Sequence, residues 1–184
     1  PRPCETRLTT EVAVRSNQVL DEAFGRIPGV VRRAIDGLDR DALLWQPEPR
    51  ANTIAWLVWH LARVQDDHVA ELRDAEQIWV AGAWAPRFGL TEGTLETGFG
   101  HDDEQVRAVR PDDVQVCVDY LDEVVARTRE FLTTVDDDDL DRIVDTSWDP
   151  PVTMGVRLVS VIGDSLQHAG QAAYLRGLYE RMGA

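Results

Sequence analysis

The chain has 184 residues, and its 33 acidic side chains outnumber 19 basic ones, all of them arginine, for a formal net charge of −14. This balance argues against nucleic-acid and anionic-membrane binders, whose affinity rests on clustered cations. No uncharged stretch approaches the roughly 20 residues that span a bilayer, and we see no export signal. With 43% apolar and 28% charged residues, the composition predicts one globular, cytoplasmic domain over residues 1–184.

The first half of the chain predicts two long helices. Apolar residues recur at helical spacing from about Asn17 to Leu38, and Pro28 is expected to kink or split that helix because proline lacks an amide donor. Asn52 or Thr53 can cap a second helix that runs to about Asp74. This second helix is strongly apolar at its start.

The second half predicts a long connection and two further helices. Five glycines between Ala81 and His101 indicate a long irregular connection, a kind of segment that often carries function. A third helix opens near Pro111 and runs to about Leu132, and Thr153 can cap a final helix that reaches about Arg181. Four long helices predict an all-α protein, folded as an antiparallel four-helix bundle.

The two cysteines and one acidic run could suggest reactive thiols and a calcium site, but their sequence surroundings favour structural roles. Cys4 and Cys117 form no CxxC pair, which predicts two reduced thiols. Cys117 lies in the apolar stripe of the third helix and is expected in the core. The run Asp136 to Asp139 lacks the glycine and the final glutamate of an EF-hand loop, so a solvated turn is expected there.

The final helix carries the most informative polar pattern. Asp164 and His168 are four residues apart, so their side chains lie on adjacent turns of one helix face. A carboxylate and an imidazole in this arrangement can bind one divalent ion. A partly buried Asp–His hydrogen bond without any metal explains the same spacing, and the spacing alone leaves both interpretations open.

The second helix supplies a candidate third ligand. His60 lies among apolar residues, and helices two and four of a bundle can both point side chains at one centre. His60, Asp164 and His168 would give two nitrogens and one oxygen, and three protein ligands leave a position open, as in catalytic sites. His68 is the rival, but it lies about 12 Å further along the helix axis, so both histidines do not easily bind one ion.

The remaining polar candidates carry weaker predictions. His101, beside two aspartates in the glycine-rich segment, is expected to be solvated or to cap a helix. Asp67 and Gln171 could orient metal ligands through hydrogen bonds. The sequence contains no GxSxG elbow, Walker loop, HExxH or dinucleotide fingerprint, so the corresponding catalytic classes have no support.

Two segments together resemble the DinB-like superfamily. They are NTIAWLVWHLARV, residues 52–64, and DSLQHAGQ, residues 164–171, and the most similar branch is the mycothiol-dependent one, which includes maleylpyruvate isomerase and mycothiol S-transferases. The resemblance implies a DinB-like four-helix bundle that binds a divalent metal, most often zinc or nickel, through His60, Asp164 and His168. The middle ligand of the family is usually His or Glu, and the shorter Asp164 would bring the ion closer to its helix or hold it less firmly.

The resemblance also implies a thiol chemistry. A metal with an open position can bind a thiol and favour its thiolate, so the expected activity is transfer of mycothiol, as cosubstrate, to an electrophilic small molecule in detoxification. Transfer is favoured over isomerisation because the isomerase branch carries an additional C-terminal domain. A homodimer is compatible with the family. We expect the glycine-rich segment to line the substrate pocket, with aromatic side chains nearby: Trp79, Trp84, Phe88 or Trp148.

Two alternatives share the same three residues. One is a non-catalytic DinB-like bundle that binds a metal or ligand as a stress-associated partner, in which case the space beside the metal should be filled. The other is an enzyme that activates a metal-bound water instead of a thiol. A pocket open to the metal centre distinguishes the enzymes from the binding protein.

Overall fold

The computed structural model describes residues 14–182, which are mostly helical. Cys4 lies outside the described residues, and the single domain over residues 1–184 stays a prediction. Among residues 14–182, no helix has the length and apolarity that crossing a membrane requires. The helices are α1 (Ser16–Ile35), α2 (Arg40–Leu44), α3 (Ile54–Arg73), α4 (Ile78–Ala81), α5 (Asp103–Ala108), α6 (Val114–Leu132), α7 (Asp137–Asp141) and α8 (Met154–Met182), and a short antiparallel hairpin joins β1 (Ile143–Asp145) to β2 (Val152–Thr153).

The boundaries of the long helices follow local signals. The side chain of Thr53 accepts a hydrogen bond from the amide of Trp56 at 3.0 Å and so caps α3, as the sequence predicts. Asp74 ends α3 in the left-handed conformation. Pro28 lies inside α1 without splitting it. The predicted solvated turn after the third helix is instead the short helix α7, because Asp136 caps it through the amide of Asp139.

Each of the four long helices packs chiefly against two others. The most extensive contacts join α3 to α8, α1 to α8, α1 to α6 and α3 to α6. The core lies between them, and α3 is buried on nearly all sides from Thr53 to Arg63. A helix that is apolar around most of its circumference is expected to be buried in this way.

Contacts near the helix ends give the direction of α1 and its neighbours. Arg129 of α6 pairs with Asp21 near the start of α1 at 2.6 Å, and Arg32 near the end of α1 pairs with Asp122, so α1 and α6 are antiparallel. Arg176, near the end of α8, donates a hydrogen bond at 2.7 Å to the carbonyl that follows α1. Helices α1 and α8 therefore run in the same direction.

The direction of α3 follows from its contacts with α8. His60 lies against His168, with 4.7 Å between ring centroids, while His68, two turns later, lies 3.5 Å from a guanidinium nitrogen of Arg157. Helices α3 and α8 are thus antiparallel, so α3 and α6 run in the same direction. This differs from the antiparallel four-helix bundle that the sequence predicts, because one pair of consecutive long helices is parallel. Consecutive parallel helices need a long crossover connection.

The crossover connection, residues 74–113, runs back along the bundle. It contains α4, a 3₁₀ turn at Ala85–Phe88 and α5, and residues 89–102 between the last two hold no helix or strand. The predicted irregular connection, Ala81 to His101, is therefore interrupted by the 3₁₀ turn and bordered by α4 and α5. The crossover connection packs against α3 and α6, and its irregular part reaches His60 through Thr97.

Candidate metal centre

Three side chains from α3 and α8 converge at one point. His60, Asp164 and His168 each offer a ligand atom, and these atoms all lie within 4.8 Å of one another. His60 is 6% exposed, whereas the other two are half-buried. The structure thus brings together the three residues that the sequence predicts as metal ligands, and metal binding itself stays a prediction.

His60 is held by the crossover connection. Its Nδ1 lies 2.5 Å from the carbonyl oxygen of Thr97, and Nδ1 carries the proton because a carbonyl only accepts. Trp56 stacks on the imidazole with 4.6 Å between ring centroids and 11° between planes. Burial lowers the pKa of His60, because desolvation penalises the charged ring. The neutral ring therefore has a free lone pair on Nε2.

His168 is held by two neighbours on its own helix. Its Nδ1 lies 2.8 Å from Oε1 of Gln171, and its Nε2 lies 3.4 Å from Oδ1 of Asp164. The hydrogen bond with Asp164 raises the pKa of His168. The second carboxylate oxygen of Asp164, Oδ2, is buried without a hydrogen-bond partner. A proton and a cation therefore compete for the same Nε2–carboxylate pair.

The rival histidine lies in the same cleft but away from the three converging residues. His68 contacts Asp67, Glu71 and Arg157 instead. Asp67 does not orient a candidate ligand, since its Oδ1 accepts a hydrogen bond from Gln77 at 2.7 Å. Of the two predicted orienting groups, only Gln171 contacts a candidate ligand.

His101 is neither solvated nor a helix cap. Its side chain is only 7% exposed, and its ring stacks on Trp59 with 5.6 Å between centroids. Nδ1 accepts a hydrogen bond from the indole of Trp56, and Nε2 lies 3.2 Å from a carboxylate oxygen of Glu96. The cap of α5 is Asp102. His101 therefore anchors the crossover connection beside the candidate centre.

A cleft of about 340 Å³ opens beside the three residues. The glycine-rich segment forms part of its wall, as the sequence predicts. It is lined by His60, Val64, Asp67, His68, Thr97, Phe99, Ser160, Val161 and Asp164.

The aromatic lining differs from the prediction. Trp79, Trp84 and Phe88 pack around Tyr120 in the core, and Trp148 is 68% exposed and does not line this cleft. The cleft holds Phe99 instead, which is 95% exposed between two glycines of positive φ. The sequence could have indicated Phe99 as a lining residue by its position between Gly98 and Gly100, at the most glycine-dense point of the crossover connection.

A buried polar network holds the crossover connection and was missed by the sequence analysis. The side chain of Arg63 is fully buried and donates to the carbonyls of Leu95 and Glu96 at 3.0 and 3.3 Å. The carboxylate of Asp66 accepts from the amides of Ile78 and Trp79 and from the hydroxyl of Tyr120. The sequence feature that could have indicated this network is an arginine and an aspartate within an otherwise apolar helix.

The thiol within the described residues is not available for chemistry. Cys117 is 1% exposed in the core, as predicted, and burial raises its pKa to about 12. A thiol of this kind is inert, because the thiolate is the reactive form.

Comparison with known proteins places this geometry in a family. The model of the mycothiol S-transferase family matches residues 19–181. A crystal structure described as the conserved protein of a locus from Enterococcus faecalis superposes with a TM-score of 0.82, at 30% identity over 89% of this chain and 96% of that chain. None of the curated proteins matches the chain. The chain therefore belongs to the mycothiol S-transferase family, a DinB-like family.

Proposed function

We propose that the protein is a divalent-metal-dependent S-transferase that transfers mycothiol to electrophilic small molecules. The observation that carries this proposal is the convergence of His60, Asp164 and His168 at the wall of an open cleft. The family match supports mycothiol as the thiol. The proposed scaffold is a DinB-like four-helix bundle, with the crossover connection between its second and third long helices.

The donor set fits a divalent cation. Both imidazoles are oriented through Nδ1 by an oxygen acceptor, Thr97 for His60 and Gln171 for His168, which is the usual arrangement around metal-bound histidine. Oδ2 of Asp164 is a buried oxygen that lacks a partner. Two nitrogens and a carboxylate suit zinc and nickel, and three protein ligands leave a position open toward the cleft.

The proposed reaction assigns separate roles to the ion and to the protein. When bound, the cation supplies the electrostatic field that lowers the pKa of a thiol and favours its thiolate. His60 and His168 hold their rings with Nε2 directed inward, and Asp164 supplies the negative charge of the centre. The thiol loses its proton to solvent in the cleft. Its sulfur forms a bond to the electrophilic carbon, and the leaving group departs with the electron pair of the broken bond.

The open cleft also favours an enzyme over the non-catalytic alternative. A non-catalytic bundle has no need of free space beside the three residues, whereas a cleft of about 340 Å³ reaches two of them, His60 and Asp164. Cys117 is too deeply buried to act as the nucleophile, and the proposed source of the thiol is a cosubstrate. Mycothiol is an intracellular thiol, which makes the cytoplasm the proposed location. The homodimer stays a prediction.

Metal content and thiol transfer together test the proposal. We would load the protein with zinc or nickel, measure bound metal after dialysis, and follow mycothiol consumption with a fluorogenic electrophile. His168→Ala should lose both metal and transfer. Gln167→Ala, its exposed neighbour on α8, is the matched control and should retain both.

The two readouts separate the three hypotheses. Near-stoichiometric metal with transfer supports the S-transferase. Metal without transfer of any thiol would indicate the binding protein or a water-activating enzyme, and hydrolysis of the electrophile would identify the latter. Absence of metal in the unaltered protein would overturn the proposal.

A further inference from the structure

The cleft beside the candidate metal centre has a second polar end. Asp67 and His68 lie seven and eight residues after His60 on α3, about 12 Å further along the helix axis, and both line the cleft. Ser160, one turn before Asp164 on the antiparallel helix α8, lines the same end. Apolar side chains also line the cleft, namely Val64, Val161 and the exposed ring of Phe99.

The second polar end presents hydrogen-bonding groups of both kinds. Oδ1 of Asp67 is held by Gln77 at 2.7 Å, so the carboxylate has a fixed orientation and Oδ2 is available as an acceptor. His68 Nδ1 lies 3.5 Å from a guanidinium nitrogen of Arg157, and a guanidinium has no lone pair to offer. As a neutral imidazole, His68 has one ring nitrogen that donates and one that accepts. The hydroxyl of Ser160 can do both.

The charges around this end disfavour an anionic ligand. Arg157, the cation closest to His68, is paired with Asp145 at 2.8 Å. Burial and the neighbouring guanidinium lower the pKa of His68, which keeps the imidazole neutral. The remaining charges that line the cleft are the carboxylates of Asp67 and Asp164. Like charges within a half-enclosed site repel, so a ligand rich in carboxylates meets repulsion from Asp67 at this end.

We propose that Asp67, His68 and Ser160 form a subsite for an uncharged, polyhydroxylated group, and that this group is the sugar portion of the thiol cosubstrate. The inference rests on the proposed function, which places the sulfur at the other end of the cleft. Mycothiol carries its cysteine on an uncharged pair of hydroxylated rings, whereas glutathione carries two carboxylates. The subsite therefore selects mycothiol over glutathione, through hydrogen bonds to the hydroxyl groups and through repulsion of the carboxylates.

Binding of an unreactive ligand tests the subsite without requiring transfer. The probe is S-methyl mycothiol, whose sulfur has no proton to lose, titrated calorimetrically into the metal-loaded protein. Asp67→Ala should raise the Kd roughly tenfold, and Ser160→Ala should raise it about threefold, as expected for hydrogen bonds with and without a charged partner. Glu123→Gln is the control, because Glu123 is exposed on α6 and does not line the cleft.

Ser160 is exposed on α8, so its substitution tests the subsite even where a change at Asp67 disturbs folding. A Kd for S-methyl mycothiol that is unchanged in both Asp67→Ala and Ser160→Ala would overturn the subsite. An equal loss in Glu123→Gln would do the same, because the effect would then not be specific to the cleft.

A charge-neutral substitution tests the selectivity. Asp67→Asn should weaken binding of S-methyl mycothiol and strengthen binding of S-methylglutathione, because it removes the repulsion while keeping the shape of the side chain. Parallel changes for both ligands would contradict the proposed selectivity.

The subsite and the proposed function can fail separately. Tight, Asp67-dependent binding of S-methyl mycothiol by a protein that transfers no thiol would overturn the function and retain the subsite. Transfer of mycothiol with a KM that is unchanged in Asp67→Ala and Ser160→Ala would overturn the subsite and retain the function.

Discussion

Nδ1 of His60 lies 2.5 Å from the carbonyl oxygen of Thr97, and this contact joins the central helix α3 to the crossover connection. The crossover connection exists because α3 and α6 run in the same direction, so the chain must return along the bundle between them. On its way it supplies the acceptor that fixes the ring of His60. The geometry of the candidate centre is therefore coupled to the topology of the fold.

The glycine after Thr97 has no room for a side chain. Gly98 has a φ of +100°, and a Cβ there would lie 2.9 Å from Nδ1 of His60. We expect Gly98→Ala to displace the Thr97 carbonyl and to lower the affinity for zinc by roughly tenfold or more, as loss of an outer-shell contact does. Competition with a chromophoric chelator measures this affinity.

Gly100→Ala is the matched control for this prediction. Gly100 has a φ of +77° with nothing within 4 Å of the added Cβ. Both variants carry backbone strain of about 1–3 kcal/mol, and the steric conflict with His60 is specific to Gly98→Ala. Equal zinc affinity in the two variants would contradict the role assigned to the Thr97 carbonyl.

The second imidazole depends on a side chain instead of a carbonyl. Gln171 is exposed, and its Oε1 lies 2.8 Å from Nδ1 of His168. Gln171→Ala should lower zinc affinity by about 10–100-fold with little change in the free energy of unfolding. Gln171→Glu keeps an oxygen acceptor and should restore affinity, whereas a comparable loss in Gln167→Ala would show that the effect is not local.

The buried arginine should matter for stability. Replacing Arg63 by Met leaves two carbonyls of the crossover connection and the carboxylate of Asp66 without their guanidinium partner. We expect a loss of about 3–5 kcal/mol in the free energy of unfolding, measured by urea denaturation.

Arg26 supplies the contrasting case. It is 71% exposed and pairs with Glu22 within α1, so Arg26→Met should change stability by less than about 1 kcal/mol. Similar losses in the two variants would show that the network around Arg63 does not hold the crossover connection.

The histidines predict how the metal-free protein responds to acid. Burial lowers the pKa of His60 and of His68, so below about pH 6.5 the unfolded chain takes up protons that the folded protein resists, and stability falls. The contribution of His168 to the pH dependence of stability has the opposite sign, because its hydrogen bond with Asp164 raises its pKa. Its stabilisation is fully present below about pH 6.5 and is lost as pH rises through its folded pKa.

Urea denaturation between pH 5 and pH 8 separates these contributions. His68→Gln should make the loss of stability toward low pH shallower, and His168→Gln should make it steeper. A shallower loss in His168→Gln would contradict the assignment of its stabilising bond to Asp164.

The three candidate ligands could be predicted because they rest on regular features. The four-residue spacing of Asp164 and His168 places them on one helix face, and the resemblance pairs them with His60. Cys117 could be placed in the core from its position on an apolar stripe. These inferences need helical periodicity and no knowledge of how the chain crosses the bundle.

The contacts made by the crossover connection could not be predicted. Thr97 contributes a backbone carbonyl, which every residue possesses, so no side-chain pattern marks it. Trp79 and Trp84 are as apolar as a pocket lining, and only the packing around Tyr120 shows that they belong to the core. The shared direction of α3 and α6 is likewise a tertiary property, which the periodicity within one helix does not reveal.

Anomalous diffraction from crystals of the protein grown with zinc tests the central claim most directly. Data collected on both sides of the zinc absorption edge locate the ion independently of any assay. The account predicts one strong anomalous peak between Nε2 of His60, Nε2 of His168 and the carboxylate of Asp164. The absence of a peak there, or a peak bound by His68 and Asp67 instead, would contradict it.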